Sequence, residues 1–89
     1  PPTRFSHALI TGASQGIGAG LARALARPGV TLWLTAVRPG GLEATARACR
    51  ARGARVHERY VDARDAGAME ALVREANVAA PLDLVVANA

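Results

Sequence analysis

Lysine is missing from this sequence altogether. Its eleven basic residues are all arginines, set against seven acidic ones for a net charge of +4. Aromatic residues are almost as scarce: Phe5, Trp33 and Tyr60 stand alone in their types. A nucleic-acid surface needs basic side chains gathered with stacking partners. Here the densest patch, "RACRARGAR" at 47–55, has no aromatic residue within it, and it reads as the solvated face of a helix. Nucleic acid is therefore not an expected partner.

Cysteine is nearly absent too. Cys49 has no second cysteine, so neither a disulfide nor a multi-cysteine metal site can form within one chain. It reads as a small packing residue on a helix, and His7 and His57, with no ligand company, read as structural. No apolar run approaches the roughly 20 residues a membrane-spanning helix requires. The opening "PPTRFSH" is too short and too polar for a signal peptide. These absences point to a reducing, cytoplasmic setting without membrane contact.

What is present is a single domain's worth of chain, 89 residues, 51% of them apolar. "HALIT" (7–11) reads as a short buried strand. Ile17, Leu21 and Leu25 recur every fourth residue along a helix that the Pro28-Gly29 pair stops. "VTLWLTAV" (30–37) is a nearly continuous apolar run, as expected of a strand covered on both faces, with Trp33 as a core or packing residue. "LEATARACRAR" (42–52) is a helix with Gly53 placed as its left-handed cap. "ARVHERYV" (54–61) alternates Arg55, His57 and Arg59 with Val56, Glu58 and Tyr60, the charged pattern of a sheet edge. Asp65 caps a third helix whose apolar stripe is Met69, Leu72, Val73 and Ala76. "LDLVVANA" (82–89) closes the chain as a last strand. Strict strand–helix alternation implies an α/β fold, a doubly wound parallel sheet with right-handed crossovers.

Three glycines sit where the first strand becomes a helix: "ALITGASQGIGAGLARAL", with Gly12, Gly16 and Gly18 in seven positions. Each costs roughly 0.5–1 kcal/mol relative to alanine in a regular element, so something must come close to this backbone. A glycine turn feeding a helix presents free N–H groups to an anion. Gly12 turns the chain off the strand, Gly16 lets a pyrophosphate reach the backbone, and Gly18 lets the helix lie close to the sheet. A tight strand–helix connection with no ligand is the alternative reading of the glycines by themselves.

"TGASQGIG" (11–18), "YVDARD" (60–65) and "LDLVVANA" (82–89) together resemble, in order and spacing, the cofactor half of a short-chain dehydrogenase/reductase. The resemblance spans essentially the whole chain and implies a Rossmann-like sheet in strand order 3-2-1-4. It implies that Gly12, Gly16, Ile17 and Gly18 form the pyrophosphate turn, with Ser14 and Gln15 beside the adenosine ribose. It further implies that Asp62, with Ala63 beside it, meets the adenine edge, although an aspartate at a strand end is also a common helix cap. Asn88 matches the second asparagine of the family's Asn-Asn-Ala-Gly strand end, the first being Ala87 here.

NAD binders place an acid at the end of the second strand, roughly 20 residues past the glycines, to hold the ribose 2′-hydroxyl. That place reads "TAVRPG" and holds no acid; Arg38 could instead pair with a 2′-phosphate. The expected cofactor is NADP rather than NAD, although Gln15 stands where many NADP-preferring relatives carry a second basic residue.

The family's catalytic tyrosine is followed four residues later by a lysine. Tyr60 is followed by Arg64, so it is not that tyrosine, and no catalytic residue is assigned within residues 1–89. Two readings follow. In the first, this is the N-terminal part of a single NADP-binding domain, and the full-length enzyme moves hydride between nicotinamide and a small carbonyl or alcohol substrate as a homo-oligomer. In the second, it is a complete, non-catalytic nucleotide-binding or scaffold module. The 89 residues alone are expected to be inactive and, with the edge of the last strand bare, prone to self-association.

Overall fold

The computed structural model describes residues 5–88. Four strands and three helices alternate without exception: β1 (His7–Ile10), α1 (Gly16–Leu25), β2 (Thr31–Ala36), α2 (Leu42–Ala51), β3 (Arg55–Tyr60), α3 (Ala66–Ala79) and β4 (Leu84–Val86). The strands pair in parallel in the order β3-β2-β1-β4, as the alternation and the family resemblance imply. Because β2 lies on one side of β1 and β4 on the other, the order reverses at β1. That reversal opens a crevice beyond the C-terminal ends of the strands.

Strand side chains alternate across the sheet and divide the core in two. Ala8, Ile10, Leu32, Leu34 and Val56 face α1 and α2, where they meet Ala22, Leu42, Ala46 and Cys49. Leu9 and Trp33 face α3 and meet Leu72 and Ala76, with Met69 and Val73 partly buried beside them. Burial raises the Cys49 thiol above its usual pKa, in keeping with an inert packing role.

One helix turns differently from its apolar period. The residues α1 buries are Gly18, Ala19 and Ala22, followed by Ala26, while Leu21 and Leu25 flank them and Ile17 is 80% exposed. Small residues bring the helix axis nearer the sheet than leucines could, and this close seating rotates Ile17 outward.

The N-terminal ends of the strands are joined by side chains. The Asp83 carboxylate accepts from the backbone N–H groups of Ser6 (2.9 Å) and His7 (3.1 Å) and from the Ser6 hydroxyl (3.0 Å). Burial pushes the Asp83 pKa up, but these bonds outweigh it and hold the group below its ordinary value. Trp33 donates its indole N–H to His7 Nε2 at 2.9 Å, and its ring stacks on His57 with centroids 4.1 Å apart. Arg59 lies over the same indole and pairs with Glu75 of α3 at 2.6 Å. β3 is thus the charged edge its alternation indicates, but its ring-bearing face is tied to Trp33 and α3. At the other edge no strand pairs with the outer side of β4 among the described residues, and Val85 is 53% exposed. Among the described residues no helix is long and apolar enough to cross a membrane.

Candidate functional site

The chain between β1 and α1 leaves the strand under restraint. Thr11, the first residue past β1, donates its backbone N–H to Val86 (3.0 Å) and its hydroxyl to the Asn88 carbonyl (3.2 Å). The same hydroxyl oxygen accepts from the Asn88 N–H at 2.9 Å. Asn88 in turn donates its side-chain amide to the Gly12 carbonyl at 3.1 Å. The end of β4 is thereby fastened to the glycine turn.

This fastening leaves no room for side chains. A Cβ on Gly12 would stand 2.7 Å from the Asn88 carbonyl oxygen, and a Cβ on Gly18 would overlap the Gly12 carbonyl oxygen itself. Gly16 is different: its φ of +63° demands glycine, yet nothing lies within 4 Å of where its Cβ would be. Open space above an exposed backbone is what an approaching ligand requires.

The α1 N-terminus faces that space uncapped. Gln15 in the N-cap position makes no side-chain bond to the first turn, and no acidic residue lies in that turn. The contrast within the same chain is informative: Asp65 caps α3 by accepting from the Ala68 N–H. Free N–H groups and the positive end of the helix dipole point into the cleft, which favours an anion.

The cleft itself holds about 550 Å³ and is lined by Gly12, Ser14, Gln15, Gly16 and Ile17 from the turn and start of α1, Ala36 at the end of β2 with Val37, Arg38, Pro39 and Gly40 of the loop after it, and Asn88 just beyond β4. Seven of the ten residues singled out from the sequence therefore line one cavity: Gly12, Ser14, Gln15, Gly16, Ile17, Arg38 and Asn88. Gly18 sits immediately behind the lining as the packing residue described above. Asp62 and Ala63 follow β3 outside the lining. The Arg64 side chain bonds the Asp62 carboxylate (3.0 and 2.9 Å), and the Arg64 backbone N–H also donates to it, so its pKa is held down at about 2. That carboxylate accepts hydrogen bonds and is fully ionised at neutral pH. Sequence reasoning did not single out Ala36, Val37, Pro39 and Gly40 as lining residues, nor Thr11 as the bridge between β1 and β4. The signal for Thr11 was its place directly before the turn glycine.

A crevice at the reversal of a parallel sheet, floored by a glycine turn and an open helix N-terminus, defines a dinucleotide-binding fold. The chain belongs to the short chain dehydrogenase family, whose pattern it matches over residues 6–89. It is 35% identical over 82 residues to the ketoacyl reductase HetN of Nostoc sp., covering 91% of this chain and 29% of that protein. A 3-oxoacyl (acyl-carrier-protein) reductase from Agrobacterium tumefaciens, solved with NADP bound, superposes with a TM-score of 0.81 at 40% identity. That match covers 97% of this chain and 33% of the other. A metagenomic short-chain oxidoreductase in complex with NADP gives a TM-score of 0.85 at 34% identity, over 94% and 38% of the two chains. The chain thus spans only about a third of the length of these three relatives.

Proposed function

We propose that residues 1–89 are the N-terminal, cofactor-binding part of a single NADP-binding domain in an oxidoreductase acting on a carbonyl or alcohol substrate. The observation that carries the reading is the open backbone at Gly16 beside an uncapped helix N-terminus in a cleft of about 550 Å³, within the range of ligand-binding clefts. The backbone N–H groups of Gly16, Ile17 and Gly18 would hold the pyrophosphate, and Ser14 and Gln15 the adenosine ribose. Asn88 keeps Gly12 and the end of β4 in register beneath it. Asp62 would reach the adenine edge, as the family resemblance implies, while it holds Arg64. When bound, the cofactor supplies or accepts a hydride at its nicotinamide; the residues of this chain bind and orient it.

NADP rather than NAD is supported by the charge at the end of β2. Arg38 lines the cleft there, and no acid is among the lining residues to repel a 2′-phosphate or hold a 2′-hydroxyl. Two solved relatives with NADP in place agree with this choice. The test is a titration of the full-length protein with NADPH and NADH, followed by nucleotide fluorescence. The unsubstituted protein is expected to prefer NADPH by at least about tenfold, the worth of one charge-assisted contact, and Arg38→Asp to reverse or erase the preference. Equal affinity for both nucleotides before and after the substitution would sink the assignment.

A further inference from the structure

The loop after β2 carries a glycine that its backbone turn favours and that a close contact across the cleft requires as well. Gly41, the N-cap of α2, has φ +84°, and a Cβ there would lie 2.6 Å from the Ser14 carbonyl oxygen and 3.3 Å from the Ser14 Cβ. Its neighbour Gly40 also has a left-handed φ of +113°, but a Cβ on Gly40 would meet nothing within 4 Å. Of this pair only Gly41 is therefore both conformationally constrained and in close contact. What it touches is the other wall of the cleft: Ser14 belongs to the glycine turn, and both Ser14 and Arg38, three residues before Gly41, line the cavity.

We infer that Gly41 is a specificity-positioning residue, docking the Arg38 loop against Ser14 so that the arginine is held at the ribose end of the cleft. The inference rests on the NADP reading and adds to it the means by which Arg38 is placed. A methyl group at Gly41 has to move from 2.6 Å to the 3.4 Å of ordinary contact, so the two walls part by about 0.8 Å, or the loop twists to avoid it. Productive contacts tolerate roughly 0.5 Å of misplacement. The displacement falls on the loop carrying Arg38 and spares the glycine turn, whose own fastening runs through Thr11 and Asn88. A nucleotide with a 2′-phosphate loses a contact, and one without it loses little.

The experiment is a four-part binding cycle on the full-length protein: unsubstituted, Gly41→Ala, Arg38→Ala and the double variant, each titrated with NADPH and with NADH. Gly41→Ala is expected to weaken NADPH about tenfold, the loss of one charge-assisted contact, and NADH less than about twofold. In the Arg38→Ala background it is expected to add nothing to the selectivity change, because it acts through that side chain. Gly29→Ala is the control for strain alone: Gly29 has φ +91°, nothing within 4 Å of its would-be Cβ, and no place in the cleft. It is expected to lower the unfolding midpoint and leave the NADPH to NADH ratio unchanged. Where Gly41→Ala yields no folded protein, Pro39→Gly tests the same docking by loosening the loop, with selective loss of NADPH again expected. Equal weakening of both nucleotides, no weakening of either, or a full Gly41→Ala effect without Arg38 overturns the inference. A protein that prefers NADH before any substitution refutes the cofactor reading instead, and does so separately.

Discussion

Two alanine substitutions two positions apart on α1 are expected to have opposite signs. Gly18 and Gly20 are both helical, and in an exposed helix either change to alanine would stabilise by about 0.5–1 kcal/mol. At Gly20 nothing lies within 4 Å of the added Cβ, so that gain is expected in full. At Gly18 the new methyl would overlap the Gly12 carbonyl oxygen and come within 2.8 Å of the Asn88 side-chain amide nitrogen. Neither neighbour yields easily. The carbonyl is backbone in a positive-φ turn, and the amide is engaged with that same carbonyl at 3.1 Å.

Overpacking of this kind costs about 1–3 kcal/mol. Losing the Asn88 bond to a part-buried carbonyl adds about 1 kcal/mol. Set against the propensity gain, Gly18→Ala is expected to destabilise by about 1–3 kcal/mol, whereas Gly20→Ala stabilises by about 0.5–1 kcal/mol. Urea unfolding of the full-length protein and its two variants measures both, and NADPH titration of the folded Gly18→Ala variant is expected to show weakened binding, since the turn itself must shift. Should Gly18→Ala stabilise as much as Gly20→Ala, the close seating of α1 on the turn is wrong, and the account of the buried alanine face falls with it.

Two further outcomes are expected at the opposite end of the sheet. His7→Ala removes the acceptor of a buried indole N–H, and an orphaned donor costs about 1–3 kcal/mol; His7→Gln, which keeps an acceptor, is expected to lose less in the same urea assay. His57 has its pKa lowered, chiefly by burial and then by Arg59, so the folded state favours the neutral ring. Its contribution is therefore present above the unfolded pKa of about 6.5 and is lost as pH falls below it. His57→Gln is expected to flatten the decline of the unfolding midpoint below about pH 6.5; an unchanged profile would show that the stacked ring does not titrate with folding.

The parallel sheet, its charged edge strand and the glycine turn after the first strand were legible because they depend on signals close together in the chain; the order 3-2-1-4 came through the family resemblance that those segments carry. The direction in which α1 faces was not. A leucine period of four gave a plausible stripe, but alanines carry little hydrophobic signal while permitting the closest packing, and it is Ala19 and Ala22 that the fold buries. Bonds across the sheet were equally hidden. His7 and Trp33 are 26 residues apart and Asp83 and Ser6 77, and nothing in the local spacing of either pair announces a partner. Gly41 was missed for a related reason. A glycine pair before a helix reads as a turn, and only the tertiary approach of Ser14 shows which of the two is held by a contact as well as by its φ.

The two ends of this sheet are built from different materials, and the difference explains where function can sit. At the N-terminal ends, side chains close the gaps: the Asp83 carboxylate takes up the Ser6 and His7 N–H groups, His7 accepts from the Trp33 indole, and His57 stacks on that ring. Among described residues no buried side-chain polar atom lacks a partner. At the C-terminal ends the contacts are made largely by backbone, with Gly12, Gly18 and Gly41 each lying where a Cβ would meet a neighbouring main-chain oxygen. Backbone packed this tightly cannot adjust to a new side chain, yet it leaves helix N–H groups uncovered, as no filled core would. Free donors are costly to bury and useful only to a ligand that brings negative charge. A chain that caps α3 with Asp65 and leaves α1 uncapped over an open cleft has put its unsatisfied groups where a phosphate can satisfy them.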